Sequence, residues 1–352
     1  MPYSLSLALA ACLIALIATP WVARRARDAG AIDHPGPRRL HREPVPTLGG
    51  LALILSVLAV AWGARLLPGP ARALDFKPLL GYTLAALPII ALGIVDDLRG
   101  TSPLAKIGVQ ACSALVLSLF GYRVAQITNP LGGTLMAHAL SAPLTVVWVL
   151  VVTNAINLID GLDGLAAGVV SIAAATLWWV GHAHGDLYVM YFSAILLGAT
   201  LGFLRMNFPP ARVFMGDTGS QFLGLTLAAV SLLENRKGTT ALALLLPIVA
   251  LGLPILDSAT AFARRIIARR PFFHGDTEHI HHRVLRLGMS PRASLAVLWG
   301  LCAALGFAAA VLEPLPRRTA AWLSVLIGLA VLLAFEAIKY QAAKKSAARH
   351  GG

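Results

Sequence analysis

The chain has 352 residues, of which 57% are hydrophobic and 13% charged. Because a soluble globular domain carries roughly 25% charged residues, this composition excludes a soluble protein and indicates an integral membrane protein. Lysine and arginine outnumber aspartate and glutamate by 29 to 16, but the basic residues fall in short segments between apolar runs, where anionic lipid headgroups and not nucleic acid are the expected partner.

Apolar runs of about 20 residues, long enough to cross a bilayer as a helix, recur along the whole chain. Regular alternation of apolar and polar residues, the signature of a membrane β-barrel, is absent. The sequence therefore predicts an all-α integral membrane protein, organised as one polytopic domain over residues 1–352. We predict about eleven transmembrane helices, at about 3–22, 47–66, 78–95, 104–121, 142–159, 164–182, 187–204, 214–233, 240–262, 293–312 and 319–338.

The basic residues predict the orientation of these helices. No lysine or arginine precedes the first apolar run, whereas Arg24, Arg25 and Arg27 follow it, which favours a retained first helix with its N-terminus outside over a cleaved signal peptide. The C-terminus is then cytoplasmic, and 21 of the 29 lysines and arginines fall on the cytoplasmic side. Turn-forming residues within the outer loop at 122–141 predict a short hairpin there.

Five of the sixteen acidic residues fall in three short motifs at the ends of apolar runs. The first is the pair Asp96-Asp97, which closes the third predicted span. Anions are disfavoured at the C-terminal end of a helix, and carboxylates beside a bilayer are costly. A solvated helix end is therefore a poor explanation, and the pair indicates a bound cation or a catalytic role.

The second motif contains Asn157, Asp160 and Asp163, between the fifth and sixth predicted spans. If this stretch is helical, spacings of three place the side chains on one face, and Gly161 and Gly164 allow a ligand to approach closely. A polar cap of the sixth span is the alternative, but a cap needs one residue and not three.

The third motif is 214–220, which opens the eighth predicted span with Asp217 in its first turn. Backbone N–H groups at a helix start favour phosphate, and Asp217 could hold a metal ion that bridges to it. Ordinary N-capping by Asp217 or Thr218 is the alternative. In the predicted topology all three motifs face the cytoplasm at a similar depth, so they can converge on one Mg²⁺ site.

Two cytoplasmic loops carry further polar residues. In the second, His279, His281 and His282 follow a basic stretch and suggest phosphate binding, with zinc as an alternative that lacks supporting ligands. Asp257, late in the ninth span, faces either the helix bundle or the site. The first loop ends at Gly49-Gly50, which could be a phosphate-contacting turn or part of a juxtamembrane basic loop.

Together these motifs resemble the polyprenyl-phosphate N-acetylhexosamine-1-phosphate transferases, a superfamily that includes the phospho-MurNAc-pentapeptide transferase and the undecaprenyl-phosphate GlcNAc-1-phosphate transferases. The motifs that carry the resemblance run from about residue 35 to 295. The form His-x-His-His resembles the GlcNAc-1-phosphate branch, since the pentapeptide branch usually shows three consecutive histidines. Some members extend the aspartate pair with a further acidic or basic residue, but Gly100 stands at that position here.

The resemblance implies a role for each matching residue. Asn157 and Asp217 match ligands of Mg²⁺, with Mn²⁺ as an alternative ion. Asp96 and Asp97 match a pair thought to handle the lipid phosphate. The other matching residues surround the nucleotide, the sugar and the phosphates: Asp160 and Asp163 near the nucleotide and its ribose, Phe214 near the uracil, Arg42 and Thr47 in the first loop, Lys106 ten residues after Asp96, and His279, His281 and His282 in the sugar and pyrophosphate loop.

We therefore predict three groups of site residues: Asp96, Asp97, Asp160, Asp163 and His279 as catalytic, Arg42, Thr47, Lys106, Phe214, His281 and His282 as substrate-binding, and Asn157 and Asp217 as metal ligands. The implied reaction is attack of undecaprenyl phosphate on a UDP-linked N-acetylhexosamine, most simply UDP-GlcNAc, with release of UMP. The implied location is the bacterial inner membrane, in a cell-envelope glycan pathway. A homodimer is left open, and a transporter with intramembrane carboxylates is the rival class.

Overall fold

The computed structural model of the chain describes residues 2–36, 43–66, 75–128, 134–234, 251–267, 279–312, 315 and 317–350. Most of these residues are helical. In chain order the helices are α1 (Pro2–Asp28), α2 (Gly50–Leu66), α3 (Phe76–Arg99), α4 (Pro103–Leu119), α5 (Ser141–Ile159), α6 (Leu165–Ala183), α7 (Leu187–Asn207), α8 (Gly216–Glu234), α9 (Gly252–Ile267), α10 (Ile280–Arg286), α11 (Pro291–Leu312) and α12 (Arg317–His350).

Two short antiparallel strand pairs lie between the helices. Strand β3 (Gln126–Thr128) pairs with β4 (Thr134–Met136), which confirms the hairpin predicted within 122–141. Strand β1 (Ile32–Asp33) pairs with β2 (Val45–Pro46). The second pair was not predicted, because two residues per strand are too few to show an alternating pattern.

The chain is a multi-pass helical membrane protein. Within the described ranges, six helices are long and apolar enough to cross a membrane: Pro2–Asp28, Phe76–Arg99, His138–Ile159, Leu165–Ala183, Leu187–Asn207 and Pro291–Leu312. Shorter apolar helices occupy Gly50–Leu66, Pro103–Leu119 and Trp322–Ala334. The predicted count of eleven, the orientation and the single domain stay predictions, and part of the predicted span 240–262 lies outside the described residues.

Helix α8 forms the centre of the bundle and contacts α2, α3, α5, α6 and α7. Its residues from Thr218 to Leu233 are buried. Because polar groups buried in a membrane bundle need partners within the protein, polar side chains of α8 bond to neighbouring helices. Thr226 Oγ1 lies 2.7 Å from Tyr82 Oη on α3, and Ser231 Oγ accepts from Trp148 Nε1 on α5 at 2.9 Å.

Helix α1 lies at the periphery, where it packs against α2 and α7. Leu5, Leu9, Leu13 and Ile17 are exposed on one face of it, and their spacing of four places them along a single stripe. A stripe of large exposed apolar side chains on a membrane protein is the surface expected to face lipid.

The helix ends determine where the predicted site residues lie. Helices α3 and α5 end where α8 begins, so their C-terminal residues meet the N-terminal turn of α8. The short turn between α3 and α4 brings the start of α4 to the same place. One end of the bundle therefore collects all three acidic motifs.

Candidate active site

A polar cavity of about 500 Å³ opens at this end of the bundle. Nine of the thirteen predicted site residues line it: Thr47, Asp96, Asp97, Asn157, Asp160, Asp163, Phe214, Asp217 and His282. The predicted convergence of the three acidic motifs is thus present in the structure.

Lys106 joins two of these motifs directly. Its Nζ lies 2.7 Å from Asp96 Oδ2 and 2.5 Å from Asp217 Oδ2. The turn before α4 allows this contact: Gly100 ends α3 at φ +73°, and Ser102 caps α4 by accepting from Ala105 N at 3.2 Å. The first turn of α4, which carries Lys106, therefore lies beside the last turn of α3.

A residue that the sequence analysis missed holds Asp96 in place. Thr101 donates to Asp96 Oδ1 twice, from its backbone N at 2.7 Å and from its Oγ1 at 2.5 Å. With Lys106 on its other oxygen, Asp96 is held on both sides. The only signal in the sequence was a threonine directly after a helix-ending glycine, which is common in turns.

Asp97 bonds to the first turn of α8. Its Oδ1 accepts from Asp217 N at 2.7 Å, and its Oδ2 accepts from Thr218 N at 3.1 Å and Thr218 Oγ1 at 2.7 Å. A carboxylate is favourable at a helix N-terminus, so α8 compensates for the unfavourable position of Asp97 at the end of α3. The N–H groups that the sequence analysis offered to a phosphate are bonded to Asp97 here.

The glycine at the start of α8 permits this contact. Gly216 has φ +67°, in the left-handed region where a side chain is strained. A Cβ at this position would also overlap the carboxylate of Asp97. A larger residue at position 216 would therefore separate Asp97 from the helix that it caps.

Hydrogen bonds to α8 orient the amide of Asn157. Ser220 Oγ donates its one hydrogen to the carbonyl oxygen of Gly216 at 3.0 Å, so it can only accept from Asn157, and Asn157 Nδ2 lies 2.9 Å away. This assigns the nitrogen of the amide to Ser220. The oxygen Oδ1 is then the atom that Asn157 can offer to a metal ion in the cavity.

The second motif is not one continuous helix, so the condition under which Asn157, Asp160 and Asp163 would share a helical face is not met. Helix α5 ends at Ile159, with Asp160 as its C-terminal cap, and α6 begins after Gly164 at φ +75°. The glycines between the two helices allow a turn. The three polar side chains nevertheless line the same cavity.

Two side chains tie this turn to the loop before α8. Asp163 Oδ2 accepts from Ala211 N at 2.9 Å. Asn207, which lines the cavity and was missed in the sequence, accepts from Gly164 N at 3.0 Å and donates to the carbonyl oxygen of Val213 at 2.9 Å. An asparagine at the end of an apolar helix is an ordinary feature, so sequence alone did not single it out.

The cavity concentrates negative charge. Burial raises the pKa of Asp160 well above its usual range, and the carboxylates of Asp217, Asp97 and Asp163 raise it further. A bound cation would relieve this repulsion. The donors present, a carboxylate from Asp217 and an amide oxygen from Asn157, are the hard oxygen ligands that suit Mg²⁺.

Any metal site here depends on ligands from the substrate or solvent. Among the described residues, no group of three or more His, Cys, Asp and Glu side chains is placed to hold a metal ion. Mg²⁺ commonly binds through one or two protein oxygens and completes its shell with water and phosphate. The residues present therefore fit Mg²⁺ in that mode.

The histidine motif divides between the cavity and the protein interior. His282 lines the cavity, whereas the side chain of His279 is only 5% exposed and its Nδ1 lies 2.9 Å from Asp257 Oδ2. Asp257 Oδ1 also accepts from Ile280 N at 2.9 Å, at the start of α10. Of the two alternatives for Asp257, the structure shows the contact within the bundle. The side chain of His281 and all of Arg42 lie outside the described residues.

The first loop packs on the start of α8. Gly49 N donates to the carbonyl oxygen of Phe214 at 2.9 Å, and Gly50 N donates to that of Met215 at 2.9 Å. A Cβ at Gly50 would overlap the backbone of Gly219. Neither alternative proposed for the glycine pair describes this contact: the glycines allow close packing, which places Phe214 in the cavity wall.

Thr47 is held at the start of the same segment. Both its backbone N, at 3.0 Å, and its Oγ1, at 3.2 Å, donate to the carbonyl oxygen of Ala31. The segment between α1 and α2 is thus anchored at one end to the exit of α1 and at the other to α8.

The chain is similar in sequence to known proteins. The sequence model of the family described as Glycosyl transferase family 4 matches residues 79–235, which include the three acidic motifs. The chain is 36% identical over 316 residues to a probable undecaprenyl-phosphate N-acetylglucosaminyl 1-phosphate transferase of Bacillus subtilis, covering 90% of this chain and 85% of the relative.

Two further relatives match a similar share of this chain. A decaprenyl-phosphate N-acetylglucosaminephosphotransferase of Mycobacterium leprae is 36% identical over 349 residues, covering 92% of this chain and 87% of the relative. A phospho-N-acetylmuramoyl-pentapeptide-transferase of a Synechococcus species is 33% identical over 337 residues, covering 88% and 89%. The similarity extends well beyond the motifs to most of the chain.

Proposed function

The chain belongs to glycosyl transferase family 4, and from that membership we propose that it transfers an N-acetylhexosamine 1-phosphate from a UDP-linked sugar to a polyprenyl phosphate, with release of UMP. The observation that carries the proposal is the convergence of Asp96, Asn157 and Asp217 on one polar cavity at the end of an apolar helix bundle, with Lys106 paired to Asp96 and Asp217. Such a place serves both a lipid in the membrane and a soluble nucleotide.

UDP-GlcNAc and undecaprenyl phosphate are the substrates that we propose. The Bacillus subtilis and Mycobacterium leprae relatives, at 36% identity, are both named for N-acetylglucosamine transfer, whereas the Synechococcus relative, at 33%, is named for an N-acetylmuramoyl pentapeptide. The form His-x-His-His at 279–282 favours the same branch. The product would be the first lipid-linked intermediate of an envelope glycan, made at the cytoplasmic face of the bacterial inner membrane.

The chemistry needs alignment and charge neutralisation more than a strong base. A phosphate monoester has a second pKa of about 6, so the lipid phosphate is largely ionised at neutral pH. Its oxygen attacks the β-phosphorus of the UDP-sugar, the bond to the bridging oxygen breaks, and UMP leaves with the electron pair. Asp96 accepts a residual proton or orients the attacking phosphate.

The cation of Lys106 lies between Asp96 and Asp217, where it can turn toward an incoming phosphate oxygen. Asn157 and Asp217 would hold Mg²⁺, which when bound neutralises phosphate charge and aligns the reacting groups. Asp97 keeps the first turn of α8, and with it Asp217, in position.

The remaining cavity residues serve the donor. Phe214 offers an apolar surface to the uracil, and Asp160 and Asp163 offer acceptors to the nucleotide hydroxyl groups. His282 reaches the cavity from α10 and can donate to the sugar or pyrophosphate. These assignments follow from the positions of the side chains and from the resemblance.

The test uses the purified full-length chain with undecaprenyl phosphate, Mg²⁺ and a panel of UDP-sugars, with detection of UMP and of the lipid product by mass. We expect UMP and a lipid with the added mass of GlcNAc 1-phosphate, dependent on both substrates. If lipid product forms only with a different UDP-sugar, that sugar and not UDP-GlcNAc is the donor. If no UMP forms with any UDP-sugar, the transferase proposal is contradicted and a transporter becomes the favoured alternative.

A further inference from the structure

A layer of three amide side chains, two buried and one half-buried, lies one helical turn below the charged residues of the cavity. Gln110 follows Lys106 by four residues on α4, Gln221 follows Asp217 by four on α8, and Asn154 precedes Asn157 by three on α5. Spacings of three and four place each amide on the same helical face as its partner, one turn deeper in the bundle. Gln110 and Gln221 are 1% and 0% exposed.

The amides form a continuous chain of hydrogen bonds that ends at Asp217. Asn154 Nδ2 donates to Gln110 Oε1 at 2.7 Å, and Gln110 Nε2 donates to Gln221 Oε1 at 3.3 Å. Gln221 Nε2 then donates to Asp217 Oδ2 at 3.2 Å. This series of hydrogen bonds connects α4, α5 and α8 to one carboxylate oxygen of Asp217.

The groups at the two ends of this series determine which amide atom donates and which accepts in each hydrogen bond. At one end Asn154 Nδ2 also donates to the carbonyl oxygen of Leu150 at 2.8 Å, and a carbonyl can only accept. At the other end the carboxylate of Asp217 can only accept while it is ionised. Every amide between them must therefore present its nitrogen toward Asp217, so the amide dipoles align and strengthen one another.

We propose that this amide layer, formed by Gln110, Asn154 and Gln221, is a positioning device for Asp217 that sets the affinity of the metal site. The inference rests on the proposed function, because that function gives Asp217 its role as a metal ligand. The three amides are not among the described residues that line the cavity. They act by holding one oxygen of Asp217, with Lys106, so that the carboxylate keeps one orientation toward the cavity.

A purely structural explanation would treat the amides as polar contacts that join helices, as occurs in membrane bundles. A buried polar contact elsewhere in the bundle serves as a control for that explanation. Thr226, five residues after Gln221 on α8, makes a buried polar contact with Tyr82 but does not line the cavity. Loss of this contact should lower stability without reaching the metal.

The experiment compares Gln221→Met, Gln110→Met and Asn154→Leu, each an apolar residue of similar size, with Thr226→Val. Mn²⁺ binding to the purified protein, in the absence of donor, is measured by electron paramagnetic resonance, and transfer is measured against Mg²⁺ concentration. Outer-shell partners of metal ligands typically change affinity by about 10–100-fold. We expect weaker Mn²⁺ binding by about 10-fold in the three amide variants and wild-type binding in Thr226→Val.

Transfer by the amide variants should recover at high Mg²⁺, with the KM for UDP-sugar unchanged there. Wild-type Mn²⁺ affinity in all amide variants that remain folded by size-exclusion chromatography would overturn the inference, as would the absence of Mn²⁺ binding by the wild type or an equal loss in Thr226→Val. If one of the three amide variants does not fold, the other two still test the inference. Failure of the proposed function is distinguishable, because the wild type would then bind Mn²⁺ but form no lipid product.

Discussion

At the scale of single residues, the adjacent carboxylates Asp96 and Asp97 have different surroundings. Asp96 contacts Lys106 and Thr101, whereas Asp97 contacts the first turn of α8. The two residues are consecutive, but successive side chains on a helix point about 100° apart, so each meets a different neighbour. In the proposed reaction Asp96 would therefore meet the phosphate, whereas Asp97 bonds to the first turn of α8, which contains Asp217.

Asp217→Asn tests the proposal that Asp217 is a metal ligand. The change keeps the size of the side chain but removes the negative charge that faces Lys106 and the cavity. We expect transfer to fall by about 10²-fold or more and the response to Mg²⁺ concentration to weaken. Initial rates across a Mg²⁺ titration provide the measurement, and near-normal rates with an unchanged titration would show that Asp217 is not a ligand.

Phe214→Ala tests the nucleotide side of the cavity. The ring lines the cavity, and an apolar contact with uracil would be present in both the ground state and the transition state. The KM for UDP-sugar should therefore rise by about 10-fold, with kcat nearly unchanged. A fall in kcat at constant KM would instead place Phe214 beside the reacting phosphorus.

At the scale of elements, α8 organises the site. Its first turn contains Asp217, receives the cap from Asp97 and packs against the loop before α2. Its second turn contains Ser220, which orients Asn157, and Gln221, which bonds to Asp217. Small residues at this end of the helix allow three neighbouring segments to approach its backbone.

Gly50→Ala tests that close approach, with Gly63→Ala on the same helix as a matched control. A Cβ at Gly50 would overlap the backbone of Gly219, whereas one at Gly63 would meet open space. Overpacking of this kind costs about 1–3 kcal/mol. We expect Gly50→Ala to lower both the thermal stability and the rate of transfer.

Gly63→Ala should leave both properties near wild type or raise stability slightly, because alanine is the better helix former. Apparent melting temperatures in detergent and initial rates measure the difference. Equal behaviour of the two variants would show that the first loop can move away from α8 without loss.

At the scale of the whole molecule, the polar cavity lined by the three acidic motifs lies at one end of the helices that form it. The charged cluster lies at the C-terminal ends of α3 and α5 and the N-terminal ends of α4 and α8. The predicted topology assigns this end to the cytoplasm, where a soluble nucleotide sugar is available. That assignment depends on the distribution of basic residues.

The orientation can be measured with two exposed alanines at helix ends, Ala29 after α1 and Ala183 at the end of α6. Each is changed to cysteine in a background without Cys12, Cys112 and Cys302. A membrane-impermeant maleimide should label position 183 in intact spheroplasts and position 29 only after the membrane is opened. The reverse pattern would place the cavity outside and contradict the use of a cytoplasmic nucleotide sugar.

The sequence by itself determined that the chain is a helical membrane protein with its carboxylates gathered at helix ends. Hydrophobicity over about 20 residues is a property of local composition, and it predicts a membrane helix without knowledge of its neighbours. The same reasoning identified Asp96, Asn157 and Asp217 as a group, since polar residues beside apolar spans are few and costly.

Only the tertiary structure decided which of these residues touch. The contact of Lys106 with Asp217 joins residues 111 positions apart, and the cap of Asp97 on α8 joins residues 120 positions apart. Such contacts depend on how helices pack, and no local pattern contains that information. For the same reason Thr101, Asn207 and the amide layer were visible only once the helices were in place.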